Sequence, residues 1–356
     1  MSVAGGSTVT GNGGAGQPVP APRAVVIDAP NRLAIRRLDP QRPGRDEAVV
    51  RVAFAGICGS DQEIMRGTRP AGYVRYPIVP GHEWSGTVVT VGAGADPSLV
   101  GRAVVGEGFR SCQTCDPCRA GEGNLCSAGY DETGFTRQGA WASHLVVPAR
   151  LLHVLPDGAD LRAAAGLEPA AVVAAACRTA MAVPGERVAV VGGGMLGLLT
   201  VQMLRAASPA ELVVIHPSDR RAELARRCGA SRLVPVDDAA ALAGRFDVVV
   251  EAAGAPGTAR LAASIARRGG RVVLTGIAAD DDRPLAPVDL VLNQITVHTV
   301  FGAPSRAWTH AVRAFAAGLV DPGVLVTHEF ALDDVREAFR VLDERSDDVV
   351  KVLLRP

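Results

Sequence analysis

The chain has 356 residues, enough for two domains with separate cores. Lys plus Arg and Asp plus Glu both total 37, so the formal charge is zero and gives no reason to expect nucleic acid or an anionic membrane as partner. A hydrophobic share of 48% with 40 glycines suits a soluble α/β protein rich in tight turns.

Residues 1–22, "MSVAGGSTVTGNGGAGQPVPAP", contain no charged residue. With neither a basic n-region nor an apolar h-region they read as a disordered tail, not a signal peptide, and a cytoplasmic protein is expected. From Arg23 to about Pro148 short β runs alternate with Gly and Pro: "AVVIDA", "EAVVRVAFAGICG", "WSGTVVTVGAG", "GRAVVGEG" and "WASHLVVPA". That pattern predicts a small, partly open barrel.

Two stretches in this half carry candidate ligands. "GICGSDQE" contains Cys58, Ser60 and Asp61, and "PGHEWSG" contains His82 and Glu83. Between them and the second half lies "CQTCDPCRAGEGNLC", where Cys112, Cys115, Cys118 and Cys126 are spaced C-x2-C-x2-C-x7-C. In a reducing compartment such a cluster favours metal over disulfides. Four thiolates around zinc make a closed tetrahedral shell with no position for a substrate. Fe–S ligation uses similar spacing and is the alternative.

The alanine-rich run "LRAAAGLEPAAVVAAACRTAMAVPG" is interrupted by Arg162, Glu168 and Arg178, which predicts a buried helix, not a membrane span. Glu168 falls where two domains should meet. A Cys, a His and a carboxylate form a three-ligand shell that leaves zinc an open fourth position. Cys58, His82 and either Glu83 or Glu168 meet that description. Cys177 and Cys228 read only as small buried residues.

From about Gly185 strands and helices alternate. Strand "RVAVVG" precedes a helix from Met195 to Ala207, then strand "ELVVIH" and helix "SDRRAELARRCGA". Strand "FDVVVEAAG", helix "TARLAASIARRGG" and strand "RVVLTGIA" follow. Repeated βα units imply a parallel, doubly wound sheet. The first turn, Gly192-Gly193-Gly194-Met195-Leu196-Gly197, is G-x-G-x-x-G between a strand and a helix, where backbone amides can approach a pyrophosphate. An acid that would bind the adenosine ribose is expected about 20 residues on, but the second strand ends at His216. Ser218, Arg220 and Arg221 follow, and their hydroxyl and guanidinium groups suit a 2′-phosphate. Dual cofactor use with a lean to NADP is therefore expected. Thr275, Gly276 and Ile277 should border the nicotinamide, and Phe109, Phe135 and Trp84 are candidates for the cleft wall. The last stretch, "THEFALDDVREAFRVLDERSDDVVKVLLRP", reads as strand, helix and strand.

With these motifs the chain resembles the zinc-dependent medium-chain dehydrogenase/reductase family, from Arg23 to Pro356. The resemblance implies a GroES-like barrel domain over 23–180, a Rossmann domain over 181–303 and a return to the first domain over 304–356. It also implies two zinc ions, one catalytic and one structural, with Cys58 and His82 as ligands of the first and Glu83 or Glu168 as the third. Ser60 takes the role of the hydroxyl that accepts the substrate proton, and Asp61 that of the carboxylate orienting the histidine. Glu63 stands where relatives often carry a His. The stretches "YPIVPGHEWSG", "ETGFTRQGA" and "HEFALDDVREAF" are most similar to the 2-deoxy-scyllo-inosamine dehydrogenase subgroup. That likeness implies oxidation of a ring hydroxyl on a cyclitol or aminocyclitol of antibiotic biosynthesis, with an open-chain polyol or a threonine-like substrate as alternatives. "ITVHTVFG" would lie at a subunit contact, giving a homodimer or homotetramer. A dinucleotide-sensing zinc protein without turnover is the non-enzyme reading.

Overall fold

The computed structural model describes residues 21–39, 41–278, 284–344, 346 and 348–356. The expected tail, residues 1–22, lies outside them except for its last two. Strands β1 (Arg23–Ala29) and β2 (Arg32–Arg37) form a hairpin. Next come β3 (Glu47–Ile57), β4 (Trp84–Val91), β5 (Ala103–Gly106), β6 (His144–Pro148) and β7 (Leu152–Val154). Alternating Val and small residues give β3 and β4 one buried face, and their antiparallel pairing is the spine of the first core.

The second half holds β8 (Arg187–Val191), β9 (Glu211–His216), β10 (Arg232–Pro235), β11 (Phe246–Glu251), β12 (Ala266–Leu274) and β13 (Thr296–Thr299). Every pair among them is parallel, in the order β10-β9-β8-β11-β12-β13. That is the doubly wound order, whose direction reverses between β8 and β11. Their runs of Val are buried on both faces, as a covered parallel sheet requires.

The last two strands, β14 (Val326–Ala331) and β15 (Lys351–Arg355), return to the first half. There β15 pairs antiparallel with β3, so the seven-stranded sheet runs β14-β15-β3-β4-β5-β7, with β6 also on β3. The helix Leu167–Ala180 joins the two halves. Its buried face is mostly alanine, which lets it pack closely on the helices Met195–Leu204 and Ser305–Ala316. No helix among the described residues is long and apolar enough to cross a membrane.

Two helices are shorter than the sequence pattern predicts. The one after β8 is α-helical only over Met195–Leu204 and tightens to a 3-10 turn over Arg205–Ala207. The one expected over "TARLAASIARRGG" spans Thr258–Ile265, because Ala266 already pairs with Phe246 and begins β12. Alanine and arginine favour helix there, but pairing with β11 prevails.

Candidate active site

Cys58 is the N-cap of the helix Gly59–Arg66. One helical turn on, Asp61 is fully buried and its Oδ2 accepts from the Cys58 amide at 2.8 Å. Its Oδ1 accepts from the Gly81 amide at 3.4 Å and lies 3.7 Å from His82 Nδ1. One carboxylate thus fixes the backbone of Cys58 and faces the ring of His82. Gly81 has φ 94°, and a Cβ there would sit 2.3 Å from the Trp141 ring, so this turn into β4 needs glycine.

Donor atoms of Cys58, His82 and Glu83 all lie within 4.8 Å of one another. His82 Nδ1 is buried with no hydrogen-bond partner. Burial alone would lower the His82 pKa, yet the Asp61 carboxylate and the Cys58 thiol raise it well above its ordinary value. A half-buried thiol converging with a buried imidazole and carboxylate, in a field that attracts cations, fits zinc.

The third ligand expected from sequence has two candidates, Glu83 and Glu168. Glu83 belongs to the cluster, and Glu168, in the first turn of the helix Leu167–Ala180, lies outside it. Glu83 is also held by Lys351, whose Nζ lies 2.9 and 2.6 Å from its two oxygens and donates to the Ile57 carbonyl at 3.1 Å. Burial pushes the Glu168 carboxyl up to about 8, with Glu83 and Glu132 adding repulsion against the pull of His82. Sequence reading missed Lys351, and no local pattern marks it.

Ser60 is partly buried on the same helix as Cys58 and Asp61. Of the expected cleft wall, Phe135 packs its ring 4.6 Å from that of His82. Phe109 meets Tyr130 at 6.0 Å and Phe301 at 5.9 Å. Trp84 is a correction: it is core, closing on Gly106, where a Cβ would meet its ring at 2.6 Å. Glu63, where relatives often carry a His, instead accepts from Arg69 at 3.1 Å.

Cys112, Cys115, Cys118 and Cys126 converge within 4.8 Å. The Sγ–Sγ separations of 3.9 Å for Cys112–Cys118 and 4.0 Å for Cys115–Cys126 match the edge of about 3.8 Å for four thiolates at 2.3 Å from zinc. They are far too long for a disulfide, and all seven cysteines are free. Hydrogen bonds from Thr114 bring the Cys112 thiol down to about 5, while burial pushes Cys118 up to about 11. Of the remaining two, Cys228 is buried as expected and Cys177 only partly so.

At the other end of the cleft, Gly192 has φ 116° and a Cβ there would lie 2.9 Å from the Ala253 amide, at the switch point between β8 and β11. On Gly197 it would meet the Gly192 carbonyl at 1.9 Å, whereas on Gly194 it would meet nothing within 4 Å. The turn is closed behind and open in front, with Met195 and Leu196 starting the helix toward the open side. His216 ends β9 against this turn, its Cδ2 2.8 Å from where a Gly193 Cβ would be. Arg221 departs from its expected place at a phosphate. It is buried, and its Nη atoms donate to the carbonyls of Gly193 at 3.0 Å and Val349 at 2.8 Å. Arg220 is exposed, with its amide on Ser218 Oγ. Thr275, Gly276 and Ile277 follow β12 beside Gly254, and the Thr275 hydroxyl donates to the Glu251 carbonyl at 2.8 Å.

Residues 44–157 match the alcohol dehydrogenase GroES-like domain, and residues 196–317 match the zinc-binding dehydrogenase domain. The chain is 33% identical to L-threonine 3-dehydrogenase of Saccharopolyspora erythraea over 332 residues, 89% of this chain and 94% of that one. Its structure is similar to that of the alcohol dehydrogenase RspB of E. coli solved with NADH, with a TM-score of 0.86, 27% identity, and coverage of 94% and 99% of the two chains. A zinc-binding dehydrogenase of Sinorhizobium meliloti 1021 bound to NADP gives a TM-score of 0.88 at 28% identity, covering 95% of this chain and 100% of that one. Relatives of the same kind match the chain over nearly its whole length. The chain belongs to the zinc-dependent medium-chain alcohol dehydrogenase family and is an NAD(P)-dependent oxidoreductase of small-molecule alcohols.

Proposed function

We propose that the enzyme interconverts a secondary alcohol and a ketone on a polyhydroxylated ring, a cyclitol or aminocyclitol. The observation that carries the alcohol chemistry is the convergent Cys58–His82–Glu83 set with its orphaned His82 nitrogen. Cys58, His82 and Glu83 would hold a zinc ion that would supply Lewis acidity toward a substrate hydroxyl, and the glycine turn would hold a dinucleotide that would supply the hydride acceptor. Asp61 keeps the His82 ring oriented. Ser60 takes the substrate proton outward. Phe135 shields one side of His82 from water. A second zinc in the four-cysteine lobe is structural. His216 and Arg220 leave the ribose pocket without an acid, which favours NADP modestly and permits NAD.

The runner-up substrate is an amino alcohol or open-chain polyol, supported by the threonine dehydrogenase relative. For assembly we favour a dimer or tetramer built on the edge strand β13. Val288, Val291 and Leu292 on the helix beside it are 59%, 74% and 66% exposed, an apolar patch that a twofold partner would cover.

The test is turnover by zinc-loaded protein, read as absorbance at 340 nm, with cyclitols, aminocyclitols, sorbitol and threonine. Ring substrates should be oxidised fastest, and Ser60→Ala should lower the rate by about 10²–10⁴ with dinucleotide affinity kept. No reduction of either dinucleotide with any alcohol would favour a sensor without turnover.

A further inference from the structure

A polar wall stands beside His82, made by Arg69, Tyr130 and Glu132, none of which the sequence marks as a site residue. Arg69 spends all three guanidinium nitrogens: Nε on the Tyr73 carbonyl at 3.0 Å, Nη1 on Glu63 at 3.1 Å and Nη2 on the Tyr130 hydroxyl at 3.2 Å. Its Cζ also lies 4.1 Å from the centroid of Phe135, the ring tilted against His82. Tyr130 in turn donates its single O–H to Glu132 Oε2. Glu132 is 6% exposed, and its Oε1 has no hydrogen-bond partner among the described residues. That oxygen sits 2.7 Å from where a Cβ on Gly108 would be, so the missing side chain at 108 makes room for the carboxylate.

The surroundings of Tyr130, which donates to this carboxylate, are aromatic. Tyr130 lies 6.2 Å from Phe135 and 6.4 Å from Phe301, and Phe109 touches both Tyr130 and Phe301. Arg69 shares its single positive charge between Glu63 and the Tyr130–Glu132 pair. Burial raises the Glu132 pKa even though His82 also favours the carboxylate, so a further cation would stabilise the charged form. Oε1 is not sealed from solvent, so this partner-free acceptor is open to a donor brought by a ligand. A neutral hydroxyl could donate to it but would leave the charge. A protonated amine supplies both the donor and the charge, and the rings grouped around Tyr130 would favour a cation.

We propose that Glu132 is a specificity-determining residue that binds a protonated amine of the substrate, so that the substrate class is an amino alcohol with its ammonium close to the carbinol being oxidised. This rests on the dehydrogenase reading above. Tyr130 and Arg69 are positioning residues that aim the carboxylate.

Matched pairs test it: 1-amino-2-propanol against 1,2-propanediol, and an aminocyclitol against the cyclitol of the same ring configuration. In the zinc- and dinucleotide-loaded enzyme the amine should bind more tightly by calorimetry, on the order of tenfold to a hundredfold, and show a lower KM with similar kcat. Glu132→Gln should erase that preference while leaving the diol and the plain cyclitol within a few-fold of wild type. Tyr130→Phe keeps the ring and should erase part of it. Equal binding of both members of each pair to wild type would overturn the assignment, as would equal losses on amine and diol in Glu132→Gln. Calorimetry keeps the two readings apart: tight amine binding without turnover supports Glu132 and strikes the dehydrogenase reading, whereas turnover without preference strikes Glu132 alone.

Discussion

Lys351→Met gives the sharpest measure of how Glu83 divides its carboxylate between protein and metal. In the native protein Nζ sits 2.6 Å from Glu83 Oε2, with the two side chains only 5% and 2% exposed. At an effective dielectric constant of 20, that separation corresponds to an attraction of about 6 kcal/mol. Desolvation of both ions takes back much of it. Removing only the lysine leaves the carboxylate buried and unpaired, which costs about 3–5 kcal/mol. Methionine fills the stem's volume, so little of the loss comes from packing.

Zinc changes that outcome. If Glu83 faces the ion with Cys58 and His82, the metal replaces the lost cation, and the cost in zinc-loaded protein should fall to less than half. Urea unfolding followed by tryptophan fluorescence, with and without prior chelation, measures both costs. Loss of the four-cysteine zinc on chelation is common to both variants and cancels in the difference. The double variant Lys351→Met with Glu83→Gln should recover most of the metal-free loss, since no charge is left orphaned. An equal cost with and without zinc would refute the reasoning and transfer the third ligand position to Glu168. A metal-free cost under about 1 kcal/mol would show that the pair does not anchor β15.

Cys115→Ser should lose one zinc and stability together, whereas His82→Ala should lose the other zinc and turnover with the fold intact; metal analysis giving fewer than two ions in active wild type would contradict this. The Glu168 carboxyl binds its proton more tightly in the folded protein, at about 8, than at the ordinary 4.5. Metal-free protein should therefore lose stability as pH rises through that window, and Glu168→Gln should be progressively more stable than wild type up to about pH 8. Parallel pH profiles of the two proteins by thermal unfolding would refute it. His216→Asp should move preference toward NAD, mainly by repelling the 2′-phosphate of NADP. A wild type that already prefers NAD a hundredfold, about 2.7 kcal/mol, would remove His216 from the ribose.

What the sequence made legible was local. Cys58 and Asp61 stand one helical turn apart, so their spacing already places the thiol and the carboxylate that orders it on one cap. The four lobe cysteines fall within one short loop, and the glycine turn follows directly on a strand. The strand order could be anticipated because βα units have one favoured hand. Lys351 and Glu83 are 268 positions apart, and Arg69 meets Tyr130 across 61. Glu132 opens the stretch "ETGFTRQGA", which carries a family likeness but no sign of what its carboxylate faces. The Lys351–Glu83 pairing depends on where the chain returns after the second sheet, and the Arg69–Tyr130 pairing on how loops of the first half meet, and no periodicity encodes either.

The return of the chain explains why the missed residues matter together. Val349 accepts from Arg221, which also holds the carbonyl of Gly193 in the dinucleotide turn. Two residues later Lys351 grips Glu83 at the metal cluster. One short segment therefore contacts the cofactor turn of the second sheet and the ligand set of the first. Hydride transfer needs the nicotinamide and the carbinol held at near-attack distance, and small misplacements are costly there. Strand β15 pairs with β3 by its backbone while its approach is tied through Arg221 to the glycine turn, so the returning segment braces both sites at once. A barrel closed on its own would have no such tie to the second sheet.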